Sequence, residues 1–154
     1  ETYRRDLVAK NFENLWQYSK VYEEHVDVDG NPSDKWYEWR SLGWNDLKAH
    51  RYPMGKGRTP LYSYWNWEKV DYVSARKKIY APIYAKYVQQ TESFKLLKSL
   101  YADGKDLILL DYDAYDHRAL NMSLKDVINN PNKKCGHAFV LAMILEGVLE
   151  ECII

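Results

Sequence analysis

Aromatic residues constrain this chain more strongly than any other feature of its sequence. Its 154 residues include 14 Tyr and 6 Trp but only 3 Phe. Tyr and Trp carry a polar group that needs a hydrogen-bond partner or water when the ring is buried, whereas Phe does not. We therefore expect many of these rings to be half exposed or to line a binding surface.

Length and charge limit the class of protein further. A chain of 154 residues fits one domain with a substantial core, so residues 1–154 are predicted to form a single domain. The 22 basic residues balance the 22 acidic residues, so attraction to a polyanion would need a local patch. Nucleic-acid binding is permitted by this composition but not indicated by it.

The predicted compartment is the cytoplasm. No stretch approaches the roughly 20 apolar residues of a membrane span, and the charged residues 1–6 contain no apolar signal core. Cys135 and Cys152 show no Cys-x-x-Cys spacing, so both are predicted to be free thiols in a reducing environment.

Apolar periodicity predicts an α+β fold: a single compact, mostly helical domain around a small sheet. Leu7-Val8-Ala9 is predicted as a short strand before a helix near 12–24, for which Asn11 is the N-cap. A helical region spans 68–100, kinked or divided near Pro82, with Thr91 capping its last part. The apolar run in 106–111 predicts a central strand, and 138–151 a buried C-terminal helix.

The first helix carries the most distinctive chemical pattern. Glu13, Trp16, Gln17 and Lys20 follow the spacing i, i+3, i+4, i+7, which places them on one helical face. A carboxylate, an indole, an amide and an ammonium on one face could hold a planar ring beside an acid. The alternative interpretation is a solvated amphipathic helix.

Rings and cations alternate throughout residues 36–67. Within this segment, Arg51, Lys56 and Arg58 flank two glycines, so backbone N–H groups and positive side chains could together bind phosphate. A long surface loop held by aromatic packing explains the same pattern equally well.

Acidic residues follow the predicted strand. Asp113, Asp116 and His117 could bind a sugar or base edge, could belong to a turn, or, as the third interpretation, could hold a metal; no metal site is predicted. His137, near the start of the last helix, could contact a ligand or cap that helix.

The order of these elements resembles the NADAR family, also called YbiA-like N-glycosidases. Glu13-x-x-Trp16-Gln17-x-x-Lys20 matches the Glu-x-x-aromatic-Gln-x-x-Lys motif of that family. Later segments, among them 75–87 and 107–110, are similar more loosely. Two family features are absent: the Ser-Asn-Phe-Tyr segment before the motif and the Trp-Gly pair after the late strand. The resemblance is therefore to a divergent, viral-type branch.

The resemblance implies hydrolysis of an N-glycosidic bond in a ribosylated or ADP-ribosylated base, without a cofactor. Glu13 would be the acid/base group, and Asp113 or Asp116 the second carboxylate. Trp16 would stack on the base, with Gln17 and Lys20 as hydrogen-bond partners. Phosphate contacts would come from Arg51, Lys56 and Arg58, and further substrate contacts from His117 and His137.

A non-catalytic binding module is the main alternative. Interleaved rings and cations in 36–67 are typical of a surface that stacks the bases of a single-stranded nucleic acid. A module that binds or inhibits a protein partner is the third possibility.

Overall fold

The computed structural model describes residues 8–154. The predicted α+β class, with helices predominating and a small sheet, is confirmed. The chain divides into two compact units, one ending at Asp71 and the other starting at Tyr72. None of the helices within residues 8–154 is both long enough and apolar enough to cross a membrane. The strand predicted for 7–9 begins outside the described residues, and Val8 and Ala9 are not in a strand.

The first unit combines helices with a three-stranded antiparallel sheet in the order β1-β2-β3. Lys20 lies opposite Ser63, and Trp65 opposite Glu68. The elements are α1 (Phe12–Gln17), β1 (Lys20–Val21), a 3₁₀ turn (Glu23–His25), α2 (Asp34–Asn45), β2 (Tyr62–Trp65) and β3 (Glu68–Val70).

Helix α1 is shorter than the predicted 12–24. Its N-cap is confirmed, because the Asn11 side chain accepts a hydrogen bond from the backbone N–H of Asn14 at 2.8 Å. The helix ends at Gln17, where the Ser19 hydroxyl donates to the carbonyl of Trp16 at 2.7 Å and competes with a further helical turn. The chain then enters β1, so the prediction was wrong beyond Gln17.

Buried Asn14 fixes α1 against the end of α2. Its side-chain amide donates to the carbonyls of Asp46 and Lys48 at 3.2 and 2.8 Å. Its side-chain oxygen accepts from the N–H of His50 at 2.8 Å. All of these groups follow α2 in sequence, and the Asn11 side-chain amide also donates to the carbonyls of Asp46 and Leu47 there, so two asparagines hold α1 against the end of α2.

The second unit is helical in its described elements. These are α3 (Tyr72–Ala75), a π-helical turn (Arg76–Tyr80), α4 (Ala81–Val88), α5 (Glu92–Ala102), a 3₁₀ turn (Arg118–Leu120), α6 (Leu124–Asn129), α7 (His137–Leu145) and α8 (Leu149–Cys152). Thr91 caps α5 as predicted, with its hydroxyl accepting from the N–H of Phe94 at 3.2 Å. The predicted helical region nevertheless begins too early, because residues 68–70 form β3.

Pro82 is accommodated without a break. The N–H of Ala81 bonds to the carbonyl of Arg76, five residues earlier, which is the hydrogen-bond pattern of a π-turn. Pro82 follows in the first turn of α4, where its missing N–H is tolerated. The chain therefore continues as one helix with a wide turn instead of two helices.

Residues 106–111 do not form the predicted central strand. Ile108 and Leu110 are 88% and 90% exposed, while Leu107 and Leu109 are partly covered. Among the described residues, none of 107–110 makes a backbone–backbone hydrogen bond. An apolar run does not by itself specify which strand lies beside it, and the described part of the chain provides no ladder for this one.

The predicted C-terminal helix 138–151 is two helices. Gly147 adopts a φ of +71° after α7. Its N–H bonds to the carbonyl of Ile144 at 3.1 Å, and that of Val148 to Met143 at 2.9 Å. This Schellman arrangement ends α7, because glycine takes the left-handed conformation without steric cost.

Both cysteines are free and buried. Cys152 is 1% exposed and Cys135 is 9% exposed. Burial raises the pKa of the Cys135 thiol to about 11, because a thiolate is poorly solvated there.

Candidate functional site

The four motif side chains are connected by direct contacts. The Gln17 amide donates to a carboxylate oxygen of Glu13 at 2.9 Å. The Lys20 ammonium donates to the Gln17 side-chain oxygen at 2.9 Å and lies 5.1 Å from the centre of a Trp16 ring. We call Glu13, Trp16, Gln17 and Lys20 the motif row.

Lys20 joins the motif row from β1 and not from the helix. Its backbone is held twice: it pairs with Ser63, and its carbonyl accepts from the Trp36 indole N–H at 3.0 Å. Its side chain reaches back over the helix. The predicted shared helical face was therefore wrong for Lys20, although the predicted proximity is present.

Burial differs along the motif row. Trp16 and Gln17 are 8% and 9% exposed, whereas Glu13 and Lys20 are half-buried. The chain itself covers most of the indole. Glu13 thus presents a carboxylate that is oriented by a buried amide and still reaches solvent.

The cations predicted to bind phosphate lie on the loop between α2 and β2. Arg58 pairs with Glu24 and lies 5.6 Å over the Tyr22 ring. The pKa of the Glu24 carboxyl is lowered, first by a hydrogen bond from the backbone N–H of Glu24 itself and second by a hydrogen bond from Arg58. Arg51 lies 5.4 Å over the Tyr52 ring, and Lys56 is exposed. The guanidinium of Arg58 is thus already paired with the carboxylate of Glu24.

The predicted acidic residues belong to the second unit and are exposed. Asp116 precedes the 3₁₀ turn and accepts a hydrogen bond from the N–H of Ala119 within it at 3.2 Å. His117 packs its ring edge-on against Phe139, with 5.7 Å between centroids. Asp113 lies in the same loop, between α5 and the 3₁₀ turn. Among residues 8–154, no group of three or more His, Cys, Asp or Glu is arranged to hold a metal ion.

His137 is the first residue of α7 and is held by two tyrosines. Its Nδ1 lies 2.5 Å from the Tyr80 hydroxyl, and its ring stacks on Tyr84 with centroids 4.2 Å apart. The carboxylate of Asp111 accepts from the N–H of Ala138 at 3.2 Å. The N-cap of α7 is Gly136, and the distant Asp111 carboxylate, not the His137 side chain, accepts from the first turn of this helix.

A cavity of about 210 Å³ opens beside the β2–β3 hairpin. We call it the hairpin cavity. Most of its lining is aromatic, and it includes one cation: the residues are Tyr37, Arg40, Trp44, Tyr64, Trp65, Asn66 and Trp67.

Trp67 occupies an unusual backbone conformation at this cavity. The hairpin turn consists of Asn66 and Trp67, with φ values of +46° and +68°. Positive φ at both positions defines a type I′ turn, in which Asn-Gly is strongly preferred. A bulky residue in this region costs about 1–2 kcal/mol. The Trp67 side chain is 61% exposed.

Arg40 lies among the rings of α2. Its guanidinium carbon is 4.7 Å from a Trp36 ring, 5.0 Å from Trp44 and 5.3 Å from Tyr37. Such contacts orient the guanidinium plane and hold its positive charge against the aromatic side chains.

The residues of the hairpin cavity are not among the predicted catalytic and substrate-binding residues, although they lie in the segment 36–67 to which the alternative interpretation assigns binding. A usable signal was present in the sequence. Tyr62-x-Tyr64 and the following residues indicate a strand, and Asn66-Trp67 stands where Asn-Gly is expected. A large ring at a turn position that favours glycine marks a candidate site.

No protein-family model, curated protein or solved structure matches the chain significantly.

Proposed function

We propose that this protein hydrolyses the N-glycosidic bond of a ribosylated or ADP-ribosylated base, with a fold of the NADAR type. The observation that carries the proposal is the motif row. The Glu13 carboxylate accepts from Gln17, which accepts from Lys20 in turn. These are the residue types of the NADAR motif, and they are in contact.

The chemistry requires a carboxylate that can exchange a proton. The bond between C1′ and the base nitrogen breaks with its electron pair leaving on the base, which produces an oxocarbenium-like sugar. Water attacks C1′ and gives a proton to Glu13, and that proton is returned to the base nitrogen. The ionised carboxylate also stabilises the positive charge that develops on the sugar.

Gln17 and Lys20 act as positioning residues in this scheme. The Gln17 amide holds one oxygen of Glu13, and Lys20 fixes the orientation of that amide by occupying its oxygen. Gln17→Leu is therefore expected to lower kcat more than it raises KM and to change the pH profile, which a loss of packing alone would not do.

Glu13→Gln tests the proposal directly. The substituted amide oxygen can still accept from Gln17, but the side chain can no longer exchange a proton. We expect release of base from ADP-ribosyl guanine and related N-ribosides, measured by liquid chromatography and mass spectrometry, to fall by about 100-fold or more. The melting temperature should change by less than about 4 °C.

Glu23→Gln is the matched control, because Glu23 is an exposed glutamate in the neighbouring 3₁₀ turn. It should retain full turnover. Turnover that persists in Glu13→Gln would remove Glu13 from the mechanism. Absence of turnover by the unmodified protein on every N-riboside tested would overturn the proposed reaction.

A further inference from the structure

We propose that the hairpin cavity binds the base of a nucleotide, either as a free nucleotide or as an unpaired nucleotide of a nucleic acid. The proposal does not depend on the glycosidase activity, because no member of the motif row lines the cavity. It rests on the size, the walls, the charge and the turn conformation of this site.

The volume fits one planar ring system. A cavity of about 150 Å³ can take up benzene, whereas pockets for drug-sized ligands begin near 300 Å³. The hairpin cavity, at about 210 Å³, lies between these values. A nucleobase fits this range, but a folded peptide segment does not.

The walls supply stacking surfaces. The rings of Trp44 and Trp65 lie 6.3 Å apart between centroids and are inclined by 51°, and the half-exposed Trp67 lies at the turn. Proteins hold unpaired bases by stacking them on aromatic side chains and on guanidinium planes. Both kinds of surface line this cavity.

Charge selects the ligand class. An aromatic cavity without a cation would suit a quaternary ammonium group. Here Arg40 already lies against the rings of Trp36 and Trp44, so it would repel a second cation and attract a phosphate. Glu68 and Lys69, which follow the turn, are exposed and opposite in charge. Arg40 is the charged residue among those that line the cavity.

The backbone at Trp67 favours binding over a purely structural role. Glycine at this turn position would remove the strain at a φ of +68°. Trp67 is 61% exposed, so most of its surface is accessible to a ligand. Strain of this kind is found where the residue serves a ligand.

Isothermal titration calorimetry at low salt with four probes tests the proposal. The probes are guanosine monophosphate, guanosine, ribose 5-phosphate and a short single-stranded oligonucleotide. We expect guanosine monophosphate to bind, guanosine to bind more weakly, and ribose 5-phosphate not to bind. Tighter binding of the oligonucleotide than of the mononucleotide identifies a nucleic acid as the source of the base; the reverse order identifies a free nucleotide.

Trp67→Gly separates binding from folding, because it suits the turn while removing the ring. It should weaken binding by about five- to hundredfold. Tyr87→Ala is the control, since Tyr87 on α4 is 58% exposed and outside the cavity; it should bind like the wild type. Arg40→Met should abolish the preference for the nucleotide over the nucleoside. Glu13→Gln should bind normally, which distinguishes this site from the proposed active site.

Three results would overturn the proposal. The first is wild-type affinity in a folded Trp67→Gly variant. The second is binding of ribose 5-phosphate as tightly as the nucleotide, which would show that the ring is not recognised. The third is no binding of guanosine monophosphate, guanosine or the oligonucleotide by the folded wild-type protein.

Discussion

At the scale of single residues, Arg76 is the most heavily engaged charged group described. It is 1% exposed. Its guanidinium donates to the carbonyls of Ile128, Asn130 and Lys133 at 3.3, 2.7 and 2.5 Å, and it lies 4.2 Å over the Tyr72 ring. One side chain thus connects the π-turn to the end of α6 and the loop that follows, using a planar fork that lysine cannot reproduce.

Arg76→Lys is therefore expected to destabilise the protein by about 2–4 kcal/mol, because buried carbonyls lose their donors while a charge remains buried. Urea unfolding followed by circular dichroism measures the change. Lys98→Met, at an exposed position of α5, should shift stability by less than about 0.5 kcal/mol. Equal effects of the two substitutions would show that the three hydrogen bonds of Arg76 contribute little.

At the scale of elements, the caps separate what the sequence could predict from what it could not. Asn11 and Thr91 mark helix starts through hydrogen bonds to residues three positions on, so local sequence contains the whole interaction. The strand predicted at 106–111 was wrong because a strand needs a partner strand, and the local sequence does not identify one. Glu13, Trp16 and Gln17 were predictable because they lie within one short stretch of helix. The position of Lys20 was not, because it lies in β1, which depends on pairing with the distant Ser63.

The hairpin turn allows a test of backbone strain by itself. Trp67→Gly and Trp67→Ala both remove the ring, but only glycine relaxes at positive φ. We expect the glycine variant to be more stable than the alanine variant by about 1 kcal/mol, measured by thermal unfolding. An alanine variant as stable as the glycine variant would show that the turn carries no strain at this position.

At the scale of the whole molecule, balanced charge coincides with an exposed apolar segment at 107–110. The formal net charge is zero at pH 7, so electrostatic repulsion between copies is weak. Ile108 and Leu110 are almost fully exposed on a segment whose backbone groups lack a ladder within the described chain. Such a segment can pair with another chain.

Leu110→Lys should reduce self-association at high concentration near pH 7, as measured by light scattering, since a lysine in an exposed apolar segment opposes its pairing with another chain. Leu42→Lys is the matched control, because Leu42 is 74% exposed but lies on helix α2. It makes the same change in charge. An equal improvement in both variants would assign the effect to charge and not to the exposed segment 107–110.

The two covered thiols offer a practical advantage for spectroscopy. Cys152 is almost inaccessible, and burial holds the pKa of Cys135 near 11, so little nucleophilic thiolate forms at the pH of a maleimide reaction. A single cysteine introduced on the surface would accept a fluorophore selectively in the otherwise unmodified chain. Distances and motions of individual segments could then be followed without first removing the native cysteines.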